Sequence, residues 1–230
     1  MIALISDIHG NYAALAEVLR EIDVLCVDEI VCLGDIGGYY CQINECCYEL
    51  RSRSIFSLLG NHDHYLANDA ACSRSRSAND CLDYQRSVLT DENLQWLRSL
   101  QPAATRHGIN MVHGGWNDNL EEYMDLVAGY FQSIEGTVFA SGHTHVPCIW
   151  SDSGKLYCNP GSVGQPRDGD RRASYALWDG EEFTLKRLEY DVAAAQDAMA
   201  VAGFDAYFYE NLSHGTRIGG GVDKYCNLTL

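Results

Sequence analysis

Short apolar runs rich in Ile, Val and Leu alternate with segments of helical spacing in the first part of the chain. The first run, residues 2–6, predicts a strand, and Asn11 can cap the helix that follows it. Further strands are predicted over residues 29–33, 55–59, 109–112, 137–141, 155–158, 173–178 and 182–190, and further helices from Asn44 and over residues 91–100, 120–133 and 192–201. Strands that alternate with helices in this way predict an α/β fold.

The length of 230 residues fits one domain, which we place over residues 1–230, with those after about 204 as a C-terminal extension packed on it or partly flexible. No apolar run reaches the roughly 18–20 residues that span a bilayer, so no membrane partner is predicted. The first residues do not resemble a signal peptide. Together with ten cysteines that form no Cys-x-x-Cys pair, this favours a reducing compartment and predicts a cytoplasmic protein.

The charge balance narrows the range of partners. Acidic residues outnumber basic ones 32 to 16, which gives a formal net charge of −16. The sequence contains no basic stripe that could follow a phosphate backbone, so duplex nucleic acid is not predicted as a partner. Small phosphate esters remain compatible, because salt screens surface charges beyond about 8 Å. The oligomeric state is left open, with a homo-oligomer among the alternatives.

Polar side chains that can bind metals follow the predicted strands, at the point where each strand ends. The carboxyl ends of strands in an open α/β sheet lie on one edge, where loops converge on a ligand. Asp7 and His9 are two residues apart, so in an extended segment both side chains leave the same face. The candidate metal ligands are Asp7, His9, Asp35, Asn61, His113, His143 and His145.

Seven oxygen and nitrogen ligands are too many for one tetrahedral ion, and they suit two ions that share a carboxylate. The sequence therefore predicts a centre of two divalent transition-metal ions. Because no thiolate narrows the choice, His, Asn and Asp suit Mn, Fe, Co, Ni or Zn, of which Mn²⁺ is our first choice.

At these residues the sequence resembles a known family. The segments Asp7-Ile8-His9, Gly34-Asp35, Gly60-Asn61-His62-Asp63, His113-Gly114-Gly115 and Gly142-His143-Thr144-His145 are similar to the five signature blocks of the calcineurin-like metallophosphoesterase superfamily. Residues 159–167 and 172–176 resemble its small prokaryotic YfcE-like phosphodiesterase branch. The resemblance covers about residues 1–215. It implies an α/β four-layer sandwich, in which two mixed β-sheets lie face to face with helices outside.

The resemblance also implies a role for each residue of the five blocks. Asp7, His9 and His145 would hold the first ion, and Asn61, His113 and His143 would hold the second. Asp35 would bridge the two ions. His62 would face the leaving group and protonate it, and Asp63 would orient His62.

Three further residues are candidates for binding the substrate. Arg167 can hold a phosphate oxygen bidentately or remain a solvated loop arginine. Tyr39 can stack on a base or sugar, or pack in the core, and Asn11 closes the first block. This chain has Tyr40-Cys41 where the relatives often have Gly-Pro, so the family pattern does not define its substrate.

These features predict a phosphoesterase that depends on two metal ions and hydrolyses a phosphomonoester or phosphodiester by attack of a metal-bound hydroxide. Nucleotides and dinucleoside polyphosphates are among the candidate substrates. One alternative is a non-enzymatic scaffold of the same fold that binds proteins, but a scaffold should have lost ligands and all seven are present. A second alternative is a protein phosphatase, for which the extra loops that grip a polypeptide are not evident.

Overall fold

The computed structural model describes residues 1–225 and contains two five-stranded β-sheets in that part of the chain. The strands are β1 (Ile2–Ile5), β2 (Glu29–Cys32), β3 (Phe56–Ser57), β4 (Ala103–Arg106), β5 (Ile109–Val112), β6 (Val138–Ala140), β7 (Cys148–Asp152), β8 (Lys155–Asn159), β9 (Ala173–Trp178) and β10 (Phe183–Leu188). The helices are α1 (Tyr12–Leu25), α2 (Ile43–Ser52), α3 (Asn61–Ala67), α4 (Arg76–Val88), α5 (Asp91–Ser99) and α6 (Val192–Val201). Two 3₁₀ turns, Ala206–Phe208 and Glu210–Ser213, follow α6.

Both sheets are mixed. The first has the order β10-β9-β1-β2-β3, with β1, β2 and β3 parallel and β9 antiparallel to β1. The second has the order β4-β5-β6-β8-β7, with β5, β6 and β8 parallel. All four residues of β1 are buried, which is the pattern of a strand covered on both faces.

The two sheets pack face to face. Ile2 and Leu4 of β1 point between the sheets, where they meet Ile109 and Met111 of β5. Ala3 and the other alternate residues of β1 point outward, into a core closed by α1, α2 and α6. The predicted fold of two mixed sheets flanked by helices is therefore confirmed.

The outer face of the second sheet is covered differently from the prediction. Residues 120–133, predicted as an amphipathic helix, form turns instead. Asp118 Oδ1 accepts the N–H groups of Leu120 and Glu121, and the Glu122 carboxylate accepts those of Asn117 and Asp118. Such local bonds compete with a helix. The apolar residues of the segment still pack on the sheet, as the buried Met124, Leu126 and Phe131 show.

The prediction also missed three short elements. The edge strands β4 and β7 have polar or exposed residues, so neither shows a continuous apolar run. Helix α3 begins at Asn61, shortly after β3 ends at Ser57, where no helix was predicted. No helix within residues 1–225 is long and apolar enough to cross a bilayer.

The segment after α6 returns to the loops at the strand ends. Leu212 is buried in the core beside α6, and Asn211 Nδ2 donates to the Tyr40 hydroxyl at 3.0 Å. Farther along, the Asp223 N–H donates to the Arg167 carbonyl at 2.7 Å. These contacts place residues 211–223 beside the loop that carries Arg167.

Candidate metal centre

The seven predicted ligands lie together at the carboxyl ends of strands from both sheets. Asp7 and His9 follow β1, Asp35 follows β2, and Asn61 follows β3. The other three histidines come from the second sheet, His113 after β5 and His143 and His145 after β6. The arrangement places the ligands where the two sheets meet. Each ligand is at most 4% exposed, and the full set is Asp7, His9, Asp35, Asn61, His113, His143 and His145.

One group of ligands comprises Asp7, His9 and His145, whose ligand atoms lie within 4.8 Å of one another. Asp7 Oδ1 is 3.2 Å from His145 Nε2 and 3.8 Å from His9 Nε2. The two Nε2 atoms are 3.0 Å apart. This cluster can hold one cation.

A second group comprises Asp35, His113 and His143. Asn61 Oδ1 lies 3.1 Å from His113 Nε2 and adds an amide oxygen to this group. Asp35 Oδ2 lies between the two groups, 3.3 Å from His113 Nε2 and 3.6 Å from His9 Nε2. Within residues 1–225, it is the one carboxylate oxygen that lies within 4.0 Å of a histidine from each group.

The backbone fixes the protonation of three histidines. His9 Nδ1 donates to the Gly37 carbonyl at 2.8 Å, His113 Nδ1 to Leu33, and His145 Nδ1 to Gln165. Because a carbonyl only accepts, Nδ1 carries the hydrogen and the Nε2 lone pair points into the centre, as in zinc–histidine sites.

The residues fit bound cations. The facing lone pairs of His9 and His145 repel each other unless a cation or a proton lies between them. Asp35 Oδ2 and His143 Nε2 are buried and have no hydrogen-bond partner among the described residues. A buried polar atom without a partner is costly, and a divalent ion would satisfy these atoms together.

Five of the seven ligands have left-handed backbone conformations. The φ angles of Asp7, His9 and Asp35 are 55°, and those of His143 and His145 are 66° and 60°. Residues other than glycine rarely adopt this region, and such strain concentrates at functional sites. We predicted from the two-residue spacing that Asp7 and His9 lie in an extended segment. Instead, this pair and the pair of His143 and His145 each lie in a tight turn.

The electrostatics of the centre favour a cation. Burial opposes the charge of Asp7, but His145, His113 and Ser6 together outweigh burial and hold the pKa of Asp7 below its usual range. His113 likewise lowers the pKa of Asp35 against the effect of burial. For His113, burial lowers the pKa, but Asp35, Asp7 and the bond to the Leu33 carbonyl together outweigh burial and raise the pKa to about 9. Without a metal, a proton on His113 balances the Asp35 charge, and a bound cation would take the place of that proton.

His62 lies beside the centre, at the start of α3. Its backbone N–H donates to Asp35 Oδ1 at 2.9 Å, and its ring centroid is 5.0 Å from that of His9. The buried Nδ1 of His62 has no partner among the described residues. Burial lowers the pKa of His62 to about 4.

Asp63 does not contact the His62 ring in the way the sequence argument implied. Its carboxylate accepts the N–H groups of Ile36, Gly37 and Gly60 at 2.9–3.2 Å, and no hydrogen bond to His62 occurs within residues 1–225. Burial and the nearby Asp35 raise the pKa of Asp63 to about 7, against the effect of these donors. Asp63 thus ties the loop after Asp35 to the start of α3.

Arg167 and Tyr39 line a cavity of about 440 Å³ next to the centre. Arg167 is 4% exposed, donates from Nε and Nη2 to Gln165 Oε1, and lies 5.3 Å from the centroid of the Tyr39 ring. It is therefore not a solvated loop arginine. The Tyr39 ring also contacts His62, at 4.9 Å between centroids.

Asn11 has a different environment from the other two candidates for substrate binding. Its Oδ1 accepts the Ala14 N–H at 3.2 Å, so it caps α1 as predicted. Its Nδ2 donates to the Gly164 carbonyl at 2.9 Å and to the Tyr190 hydroxyl at 3.3 Å. The side chain is buried, does not line the cavity, and has its polar atoms engaged by the fold, so we do not retain Asn11 as a substrate contact.

Sequence reasoning missed three residues that line the same cavity. The ring centroid of Tyr123 lies 4.3 Å from that of His143, and Tyr123 belongs to the segment that was predicted as a helix. Arg74 comes from the polar stretch before α4, and Arg217 comes from the segment after α6. No motif marks any of them, and only the folded chain brings them together.

The residue before Asn61, Gly60, has no room for a side chain because it lies against Asp35. A Cβ atom at this position would lie 2.1 Å from Asp35 Oδ1 and 2.2 Å from the Asp35 nitrogen. We expect Gly60→Ala to displace Asp35, to cost about 1–3 kcal/mol of stability, and to reduce metal content. Thermal unfolding and metal analysis would check this. Gly221→Ala is the control, because its Cβ would meet nothing nearer than 3.7 Å, and an equal effect of both variants would contradict the prediction.

Comparisons with known proteins agree with this geometry. Residues 1–182 match the family model of the calcineurin-like phosphoesterase superfamily domain. The uncharacterized protein MJ0912 of Methanocaldococcus jannaschii is 34% identical over an alignment of 226 residues. The alignment covers 86% of this chain and 90% of that protein.

Two solved structures have the same fold. A metallophosphoesterase from Sphaerobacter thermophilus superposes with a TM-score of 0.83 at 33% identity, covering 94% of this chain and 98% of that one. The hypothetical protein PH1004 from Pyrococcus horikoshii gives a TM-score of 0.85 at 21% identity, covering 94% and 99%. As its five sequence blocks predicted, the chain belongs to the calcineurin-like phosphoesterase superfamily.

Proposed function

We propose that this protein is a phosphoesterase that depends on two divalent metal ions and hydrolyses a phosphomonoester or a phosphodiester. The observation that carries the proposal is the convergence of buried ligand atoms, above all the 3.0 Å approach of His9 Nε2 to His145 Nε2 beside Asp35 Oδ2, which has no hydrogen-bond partner within residues 1–225. Membership of a phosphoesterase family supports the reaction class.

The two groups of ligands would hold one ion each. Asp7, His9 and His145 would hold the first. The second would be held by Asn61, His113 and His143, with Asp35 shared between the ions. Such ions supply positive charge against phosphoryl oxygens and acidify a bound water near neutral pH. Mn²⁺ is our first choice, and Fe, Co, Ni and Zn also suit these ligands.

Hydrolysis forms a bond from a water oxygen to phosphorus and breaks the bond from phosphorus to the leaving oxygen, which must gain a proton. We assign delivery of that proton to His62, which lies beside the ligands without occupying either group. Burial lowers the pKa of His62 to about 4, so this role requires the negative charge of the bound phosphate ester to raise that pKa and favour the imidazolium. Asp63 positions His62 through the backbone of α3. Arg167 would bind a phosphoryl oxygen, since its buried guanidinium has no carboxylate partner within residues 1–225.

The non-enzymatic scaffold is not favoured by the geometry. A scaffold that had lost its metal site would gain nothing from five ligands in left-handed conformations or from buried ligand atoms without partners. Such features destabilise a fold unless a ligand compensates for them.

Removal and return of the metals would test the proposal. We expect dialysis against a chelator to reduce turnover of bis-p-nitrophenyl phosphate by at least about 10³-fold. Reloading with each metal in turn should restore it, with about two ions bound per chain. A panel of mono-, di- and polyphosphate esters would then define the substrate class. Absence of turnover with every metal and every ester would refute the proposal.

A further inference from the structure

The charged side chains that line the cavity next to the metal centre are arginines, two of which also pair with acidic residues outside the lining, Arg74 with Glu121 and Arg217 with Asp223. Three arginines line the cavity: Arg74, Arg167 and Arg217. Among the described residues that line the cavity none is acidic, although the whole chain carries a formal charge of −16. A pocket lined by one sign of charge concentrates ligands of the opposite sign.

The metal centre opens into this cavity. Asn61 and His143, ligands of the proposed second ion, line the same space as the arginines. A phosphoryl group held at the metals would therefore have the rest of its molecule beside the arginine side chains. Tyr39 and Tyr123 also line the cavity and place aromatic side chains beside that remainder.

Part of the Arg217 guanidinium is available to bind a ligand. Its Nε donates to both carboxylate oxygens of Asp223, at 2.6 and 2.7 Å, and its two terminal nitrogens make no hydrogen bond within residues 1–225. The side chain is 49% exposed. A phosphate accepts two parallel N–H bonds from such a fork, which gives arginine its preference for phosphate.

Arg74 stands at another wall of the cavity. Its guanidinium pairs with Glu121 and lies 5.2 Å from the centroid of the Tyr123 ring. Next to it, the hydroxyls of Ser75 and Ser77 line the cavity where α4 begins. The N-terminus of this 13-residue helix adds a partial positive charge on the same side.

We propose that this cavity binds a second phosphate group of the substrate, with Arg217 and Arg74 as its ligands. This inference rests on the proposed function, because it takes the scissile phosphate to lie at the metals. The preferred substrate is then a molecule with at least two phosphates, rather than a simple monoester.

Binding of nucleotides that differ by one phosphate would test the inference. Inhibition of bis-p-nitrophenyl phosphate turnover and calorimetric binding would be measured for adenosine 5′-monophosphate, adenosine 5′-diphosphate and adenosine 3′,5′-bisphosphate. We expect at least one of the two bisphosphorylated compounds to bind the metal-loaded protein about tenfold or more tightly than the monophosphate. The two compounds distinguish a contiguous diphosphate from phosphates on separate carbons.

Variants of the cavity arginines would show whether the preference for a second phosphate depends on these side chains or on the metals. Arg217→Gln should reduce it about tenfold, and Arg74→Gln should reduce it as well. Arg171→Gln is the matched control, because Arg171 is exposed, pairs with Glu189 and does not line the cavity. Equal affinity for all three nucleotides, or a preference that survives both cavity variants, would overturn the inference.

The outcomes separate the inference from the proposed function. Turnover without the nucleotide preference would leave the phosphoesterase in place and refute the second phosphate site. Calorimetric preference without turnover of any ester would retain the phosphate site and refute the proposed reaction.

Discussion

Replacing Asp35 by asparagine is expected to abolish turnover, with a fall of at least about 10³-fold, and to leave at most one ion per chain. Asp35 Oδ2 is the oxygen that reaches both groups of ligands, at 3.3 Å from His113 and 3.6 Å from His9. Asparagine keeps an oxygen that can accept the His62 N–H, but it removes the negative charge shared by the two ions. Metal analysis and turnover of bis-p-nitrophenyl phosphate would measure both effects.

Asp197→Asn is the control for this variant, because Asp197 is exposed on α6, away from the strand ends. It should retain both ions and full turnover. An Asp35→Asn protein that keeps two ions and turns over within tenfold of the original would contradict the assignment of Asp35 as the shared ligand.

The second large effect is expected for His62→Asn, with a fall in kcat of at least about 10²-fold for alkyl phosphate esters and unchanged metal content. Alkoxide leaving groups need a proton as the ester bond breaks, whereas p-nitrophenolate needs little help. The loss should therefore be smaller for p-nitrophenyl esters. Rates over a series of leaving groups of different pKa would show this dependence directly.

Metal content decides between two roles for His62. A ligand atom of His62 also lies within 4.8 Å of those of His9 and Asp35, so it could reach an ion. Loss of an ion in His62→Asn would make it a ligand, and unchanged alkyl-ester turnover would remove it from the reaction. His64→Asn is the control, since His64 lies two residues along α3 and its Nδ1 contacts Asn68.

The sequence was most informative where local pattern and chemistry coincide. The strands β1, β5 and β9 are apolar runs buried on both faces or nearly so, and their predicted bounds agree with the structure to within one residue. The ligands follow predicted strands, so their convergence could be inferred from their positions along the chain, whereas their division into two groups came from the family resemblance. Helix α6 was found because Asp191 caps it and Gly203 follows it.

The features that the sequence did not predict have physical causes that the pattern of hydrophobic and polar residues does not show. In residues 120–133 the apolar spacing of a helix is present, but Asp118 and Glu122 bind the backbone and hold the segment in turns. Arg74 and Arg217 lie 143 positions apart, by subtraction of their residue numbers, and share one cavity only after folding. The resemblance implies that Asp63 orients His62, and sequence alone could not show that this role would act through the backbone, because the Asp63 carboxylate binds backbone N–H groups.

The left-handed turns at Asp7, His9, Asp35, His143 and His145 limit how this centre can be rebuilt elsewhere. Grafting the seven side chains onto ordinary strand ends of another scaffold would not reproduce it, because their direction depends on the backbone turn beneath each one. A designer would have to transplant the turns with their supporting carbonyls, and β-branched replacements would be poorly tolerated at those five positions. To rebuild this centre elsewhere, the looped backbone and its side chains must therefore be transferred together.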